Sequence, residues 1–331
     1  MKRLLVTGGS GFIGTNVVEK FLADGHSVLN IDISPPQNPA HKDSYVKVDI
    51  LDAESLSNAL SEFSPTHVIH LAARADLHES KNIEGYQANV QGVENIIRAV
   101  SEQPTVERCL FASTKLVCPT DYTPKSTDDY CPDTLYGESK ARGEQIVKTS
   151  TLLDRTWAIV RPTSIWGPWS MLPHIPYGRF FLMIQKDRYF QLGKPNPPKT
   201  FGYVGNLVYQ MEQLLDAPTD RVHEKVFYLA DYEAFTIQEW ADMIAVELKG
   251  KKPKRLPEVV VRPLAWAGDV AKMIGIREPP LSSFRLKNMR ADTTVVPIKP
   301  IQEITGPLPY TLESGVRETI KWLKSQGLIS I

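Results

Sequence analysis

At 331 residues, 42% hydrophobic and 23% charged, the chain is long enough to bury a large core, as about two domains or one elaborated α/β domain. Its 38 lysines and arginines balance 38 aspartates and glutamates, so no net field recruits nucleic acid or an anionic membrane, and any anionic ligand must be held by local groups. The three cysteines, Cys109, Cys118 and Cys131, lack CxxC spacing and argue against a disulfide framework or a structural zinc.

Few apolar residues follow Met1-Lys2-Arg3, too few for the core of a signal peptide, and no apolar run approaches the ~18 residues of a membrane span. The expectation is a cytoplasmic globular protein. The first stretch, MKRLLVTGGSGFIGTNV, is apolar from Leu4 to Val6, breaks at Gly8, Gly9, Gly11 and Gly14, and resumes at helical spacing from Asn16 to Leu22. That order predicts strand, tight turn, helix. A dinucleotide pyrophosphate sits at such a helix N-terminus, where unpaired N–H groups and the helix dipole favour negative charge and a missing Cβ lets backbone approach. Gly9, Gly11 and Gly14 fit GxGxxG, while Gly8, Gly11 and Gly14 fit GxxGxxG; both registers are available. Asp32 closes the next apolar run, VLNID, about 20 residues on, where a carboxylate accepts hydrogen bonds from the ribose hydroxyls and repels a 2′-phosphate. Ile33 and Ser34 offer no arginine to neutralise such a phosphate, so NAD is expected rather than NADP.

Further apolar runs follow at Val28–Ile31, Tyr45–Val48, His67–Leu71, Arg108–Phe111 and Trp157–Val160, each trailed by helical periodicity. Six runs in the first half predict an α/β fold, a Rossmann-type doubly wound parallel sheet with helices on both faces. Residues 1–162 then form the NAD-binding Rossmann domain. Residues 163–331 form mainly a smaller C-terminal substrate-binding lobe, although Phe201–Leu215 and Val226–Ala230 can return to the sheet.

Within FASTKLV, Ser113 and Thr114 lie just beyond a strand, at the carboxyl edge where doubly wound sheets bind ligands. Thr114 is the candidate hydroxyl that holds a substrate oxygen, with Ser113 as its neighbour on the substrate side. Tyr136 and Lys140, in LYGESKARGEQIV, stand four apart on one face of a helix. An ammonium beside a phenol favours the phenolate and lowers a pKa that is near 10 in water, as acid–base chemistry requires. YxxxK alone is common, and a tyrosine packed under a lysine stem usually explains it. After a dinucleotide turn the catalytic reading prevails.

Past Pro162, prolines crowd Pro168–Pro198 among Trp166, Trp169, Tyr177, Phe180, Phe181, Tyr189 and Phe190, a lobe closing over the sheet edge and offering rings on which a base can stack. KGKKPKR, Lys249–Arg255, reads as a solvated loop. Pro263–Ile274, with Leu264, Trp266, Val270, Met273 and Ile274, reads as a helix whose apolar face suits either membrane contact or the core, with core packing the expectation. Leu312–Gly327 reads as a closing amphipathic helix.

TGGSGFIG, VDILD, HLAARA, NVQG, FASTKLV, YGESK and RPTSIWGP occur in the order and rough spacing of the extended short-chain dehydrogenase/reductases. Over nearly its whole length, YTLESGVRETIKWL included, the chain resembles the NAD-dependent epimerase/dehydratase family. The resemblance implies that Gly8, Gly11, Phe12, Ile13 and Gly14 hold the pyrophosphate and Asp32 the adenosine ribose. Asp49 and Ile50 would lie beside the adenine, and Leu71, Ala72 and Ala73 would line the nucleotide, with Asn89 matching the asparagine of the following helix. Tyr136 would be the acid/base, Lys140 would lower its pKa and hold the nicotinamide ribose, and Pro162 and Thr163 would flank nicotinamide and substrate. Lys199 stands where resembling epimerases carry a phosphate-binding arginine, and Arg290 is a candidate second phosphate contact; lysine neutralises phosphate but lacks the bidentate fork.

Dehydrating relatives carry an acidic pair after the catalytic hydroxyl and decarboxylating ones a glutamate, whereas this chain has Lys115 and Leu116. What remains is hydride plus one proton. Run forward and back through a transient ketone, that chemistry is epimerisation of a nucleotide-linked sugar, an isomerase of carbohydrate metabolism acting most plausibly at C4. Run once, it is an oxidoreductase, a dehydrogenase or ketoreductase of a keto sugar nucleotide or a hydroxysteroid-type ring alcohol. A non-catalytic NAD-sensing scaffold is opposed by the intact Thr114, Tyr136 and Lys140. Val117-Cys118-Pro119 departs from the family's VYG, and VGN at Val204–Asn206 departs from an aspartate-bearing turn. Resembling proteins pair the helices of Asn89 and Tyr136 across a twofold axis, which implies a homodimer compatible with the Ile146–Val147 strip. The expected partner is a small-molecule substrate, with no nucleic acid and no membrane span.

Overall fold

Along β1 (Arg3–Thr7), Leu4 and Val6 point into one apolar cluster and Leu5 into another, and all three are fully buried. A strand walled on both faces needs an unbroken apolar run rather than an alternating one, which is why these strands were readable as such. The computed structural model describes residues 1–77, 82–119, 122–151, 154–170, 178–194, 196–273, 281–290 and 296–329; Tyr177 and Ile274 lie outside the described residues.

After β1 come α1 (Phe12–Ala23), β2 (Ser27–Asp32), β3 (Tyr45–Lys47), α2 (Ala53–Phe63) and β4 (His67–His70). Then follow α3 (Gln87–Ser101), β5 (Arg108–Ala112), α4 (Leu135–Thr149) and β6 (Thr156–Pro162). The next elements are β7 (Ser164–Trp166), α5 (Phe180–Gln185), β8 (Gln191–Leu192), β9 (Phe201–Tyr203) and α6 (Val204–Asp216). The chain ends with α7 (Thr219–Val222), β10 (Lys225–Leu229), α8 (Ile237–Lys249), β11 (Arg255–Leu256), α9 (Glu258–Met273), α10 (Ser283–Arg290), α11 (Lys299–Thr305) and α12 (Leu312–Ser325).

Seven parallel strands form the central sheet in the order β10-β6-β5-β4-β1-β2-β3. This is the doubly wound order with its switch point between β1 and β4. Apolar residues of α2, α3 and α4 cover one face, and those of α1, α6, α8 and α12 the other. Six strands were expected in the first half; the seventh, β10, comes from Val226–Ala230 as anticipated, and α6 packs back on α1. Between β2 and β3 the expected helix is a single 3-10 turn, Pro39–Ser44, in a segment where three prolines preclude a regular helix.

Two expectations fail for identifiable reasons. Trp166, Trp169, Phe180 and Phe181 form the lobe's own core rather than a stacking surface: Trp166 and Trp240 rings lie 5.0 Å apart, Phe180 lies 4.9 Å from Trp240, and all four are buried. In the helix strip Ile146–Val147, Val147 is buried in the cluster under α2–α4 and Ile146, half-buried, packs against it. Only Val261, Ala265 and Gly268 of α9 are buried, so its apolar face does not pack on the core.

Candidate active site

Gly8 has φ +74°, and a Cβ there would stand 2.6 Å from the Ala72 nitrogen; one on Gly14 would stand 2.1 Å from the Gly8 carbonyl oxygen. The turn therefore needs bare backbone at both positions, the GxxGxxG register, and it draws Leu71–Ala73 against it. Leu71 and Ala72 are fixed by N–H bonds to the Thr7 carbonyl and hydroxyl, at 3.0 and 3.2 Å. Gly11 caps α1 with no side-chain hydrogen bond and no acid in the first turn, so the helix presents its first amides. This cradle, with the dipole behind it, fits a pyrophosphate.

At the end of β2, Asp32 accepts from the Ser10 amide at 3.1 Å and the Ser34 amide at 2.9 Å. Partial burial nevertheless raises its pKa, and no cation among the described residues acts on it. Each carboxylate oxygen keeps lone pairs for ribose hydroxyls. Asp49 is exposed, whereas Ile50 is buried under α3, where a Cβ on Gly92 would meet it at 2.4 Å; Ile50 belongs to the core. Phe12 is likewise buried and Ile13 half-buried.

Asn89 is 1% exposed with all its polar capacity engaged inside the protein: it accepts from the Arg74 amide at 2.8 Å and donates to the Arg74 carbonyl and the Ser139 hydroxyl at 3.0 and 2.8 Å. Its amide thus ties the loop after β4 to α4, acting as a positioning residue. Ser139 donates in turn to the Tyr136 carbonyl at 2.7 Å. On the other side of α4, a Cβ on Gly137 would lie 2.2 Å from the Leu116 carbonyl, so bare backbone brings the turn after β5 against the helix.

That approach brings the Thr114 side chain beside the Tyr136 phenol, where it acts to favour the phenolate. Lys140 follows one turn on and is buried. The expected depression of the tyrosine does not appear: burial dominates and pushes Tyr136 up to about 12, with the Thr114 side chain pulling the other way. Burial also pushes the Lys140 ammonium down to about 8, partly offset by Glu144. Ser113, buried, has a hydroxyl with no hydrogen-bond partner among the described residues. Pro162 and Thr163 close β6 beside it, and Thr163 donates its amide to Leu229 at 3.1 Å.

Lys115 is half-buried and its ammonium makes no hydrogen bond or ion pair among the described residues; burial first, and the charge of Lys199 second, push it down to about 8. Lys199, itself buried, therefore shares the site with Lys115. Arg290 differs: its guanidinium is bonded to Glu258 at 2.7 and 2.9 Å, which fastens α10 to α9.

His70, Ser113, Lys140 and Glu144 line one small internal cavity. His70 bonds Thr7 at 2.7 Å, and burial, with the Lys140 charge behind it, pushes it down from 6.5 to about 3. The unfolded chain thus takes up this proton first, and stability falls as pH drops from 6.5 toward 3. Urea unfolding should show that His70→Asn loses about 2 kcal/mol less than wild type between about pH 7 and 5; equal losses would refute the assignment.

A parallel sheet in this order, a glycine cradle at its switch point and a hydroxyl–phenol–ammonium set at its carboxyl edge define a dinucleotide-dependent enzyme of the Rossmann class. Residues 4–230 match the model of the NAD dependent epimerase/dehydratase family, and the chain belongs to that family. Its cofactor is accordingly NAD. A curated relative from Escherichia coli O157:H7, N-acetyl-alpha-D-glucosaminyl-diphospho-ditrans,octacis-undecaprenol 4-epimerase, is 26% identical over 96% of this chain and 94% of its own. The 3-beta-hydroxysteroid dehydrogenase of Mycolicibacterium neoaurum is 27% identical over 97% of this chain and 91% of its own. The solved UDP-glucose 4-epimerase of Thermotoga maritima, with UDP-glucose, superposes with a TM-score of 0.75 at 18% identity, covering 98% and 99% of the two chains.

Proposed function

We propose that the protein is an NAD-dependent epimerase that inverts C4 of a nucleotide-linked sugar through a transient ketone. The observation that carries this reading is the Tyr136 phenol beside the Thr114 side chain with Lys140 one turn away, at the carboxyl end of β5 in the sheet that carries the glycine cradle. NAD, when bound, supplies reversible hydride transfer and, when oxidised, a positive ring charge that favours the phenolate. Tyr136 takes the proton of the reacting hydroxyl and returns it to the ketone oxygen after the sugar has presented its other face. Thr114 holds that oxygen, and Lys140 adds positive charge to the phenol's surroundings. Lys115 and Lys199, near enough for the charge of one to act on the other, with no carboxylate acting on Lys115 among the described residues, support a substrate that carries phosphate. Leu116 is no proton acceptor, which supports a reaction ending at the ketone stage and its reversal.

The assay offers UDP-sugars and follows both sugar configuration and the nicotinamide absorbance. Interconversion without net cofactor change supports the proposal; steady cofactor consumption overturns it and establishes single-pass dehydrogenation of a ring alcohol, the activity named for the 27% identical steroid dehydrogenase. Asp32→Ala should raise the KM for NAD by roughly 10- to 100-fold, the worth of a charge-assisted hydrogen bond, while leaving that for NADP unchanged or lower. An unchanged NAD:NADP ratio would remove Asp32 from the ribose site.

A further inference from the structure

The solvent side of α9 is predominantly apolar. At 100° per residue its buried line runs through Val261, Ala265 and Gly268, and the opposite half carries Val259, Val260, Pro263, Trp266, Ala267, Val270 and Met273, with Leu264 and Ala271 toward its border. Val259 is 79% exposed, Trp266 69% and Met273 85%. Six of the seventeen large hydrophobic residues exposed among the described residues sit on these sixteen positions. Glu258 and Asp269 lie toward the buried side, where Glu258 bonds Arg290 and Asp269 accepts from the Ser283 amide; of the two exposed cations of the helix, Arg262 leans back on Glu258 and Lys272 stands in the last turn. A helix apolar on both its core and its solvent faces is stable in water only if something covers the second face.

The neighbouring chain says what. KGKKPKR, Lys249–Arg255, places five cations and no acid immediately before the helix. Lys249 and Lys252 pair with Asp187 and Asp242 at 2.7 and 2.9 Å, while Lys251 and Lys254 are exposed and form no ion pair among the described residues. Phe190, exposed, joins this edge, because the Gln191 amide donates to the Lys254 carbonyl at 2.9 Å. An apolar face with a tryptophan, flanked by unpaired lysines, matches the acyl–headgroup boundary of an anionic bilayer in both hydrophobicity and charge. A protein surface with the same complement would need acids set around an apolar groove, whereas anionic lipid offers both at once.

We propose that the protein docks peripherally on anionic membranes, with α9 laid in the interface and the Lys249–Arg255 loop on the headgroups. Zero net charge over the whole chain does not oppose this, because the field that matters is set within about a Debye length of the surface. No helix among the described residues is long and apolar enough to cross a membrane, so the association is with one leaflet. This inference is independent of the chemistry proposed above.

The full chain is sedimented with vesicles of phosphatidylcholine alone and of phosphatidylcholine with phosphatidylglycerol. Binding is expected to the anionic vesicles and to weaken with salt. Lys251→Gln with Lys254→Gln should lower the partition coefficient by roughly fivefold per lysine. Trp266→Glu with Val270→Glu should abolish it with an unchanged circular dichroism spectrum and unchanged solution turnover, since both side chains already face water. Absence of wild-type binding to anionic vesicles, or equal binding to neutral ones, overturns the proposal. A wild-type dimer that the Glu variants convert to monomer also overturns it, assigning the face to a second copy.

Discussion

Tyr136→Phe is expected to lower turnover by about 10²- to 10⁴-fold with the fold and the affinity for NAD close to wild type. The substitution deletes one oxygen and keeps the ring, including its 6.2 Å approach to Tyr86 and its place on the first turn of α4. What is lost is the proton that the reacting oxygen exchanges and the polar interaction with the Thr114 side chain. Because burial holds this phenol up at about 12, positive charge must favour the phenolate before Tyr136 can take the proton of the reacting hydroxyl, and the protonated phenol then returns it to the ketone oxygen. Lys140→Met should therefore reduce turnover as well. In the wild-type enzyme activity should fall above about pH 8, where the Lys140 ammonium is lost. The comparison of Tyr136→Phe with Thr114→Val is informative, since a hydroxyl that only orients an oxygen is worth less than the group that moves its proton. Turnover of Tyr136→Phe within threefold of wild type would take Tyr136 out of the chemistry, whatever the fold.

The parts legible in the sequence are those whose physics is local. Strands walled on both faces read as apolar runs, a turn that excludes Cβ atoms reads as glycines, and two side chains on one helical face read as YxxxK. Contacts between distant elements were not legible. Asn89 and Ser139 stand fifty positions apart and clamp α3 to α4, yet only the family resemblance marks Asn89, and nothing in the sequence marks Ser139 as its partner. Asn206, which departs from an aspartate-bearing turn, donates to buried Asp231 at 2.7 Å; a second carboxylate there would face the first. Periodicity revealed the stripe of α9 but not what covers it, because spacing reports that a face is apolar and says nothing about the neighbour. Arg290 fails in the same way: a lone cation in sequence gives no sign that Glu258 holds it.

The largest effect on stability should come from Glu144→Ala, at about 3–5 kcal/mol, the cost of leaving a buried charge without its partner. Arg161 is fully buried and Glu144 is 3% exposed. The guanidinium donates to both carboxylate oxygens at 2.8 and 2.7 Å, to the Tyr228 hydroxyl at 2.8 Å and to the Thr127 carbonyl at 2.7 Å, while Tyr130 donates to Glu144 at 2.9 Å. β6, β10, α4 and the segment before α4 meet at this one network. In a protein whose total stability is of the order of 5–15 kcal/mol, the loss removes a large share, and Glu144→Ala can fall below the folding threshold at 37 °C. Glu144→Met with Arg161→Met separates the causes, since removing both charges leaves an apolar site of similar volume. The double variant should recover most of the loss in urea unfolding, although Tyr130 and Tyr228 each lose a partner. If the double variant is as unstable as the single one, the charge imbalance is not the cause and packing is. Glu144 also favours the charged form of Lys140 one turn away, so Glu144→Gln should bring the alkaline loss of activity to lower pH, an effect that packing alone would not produce.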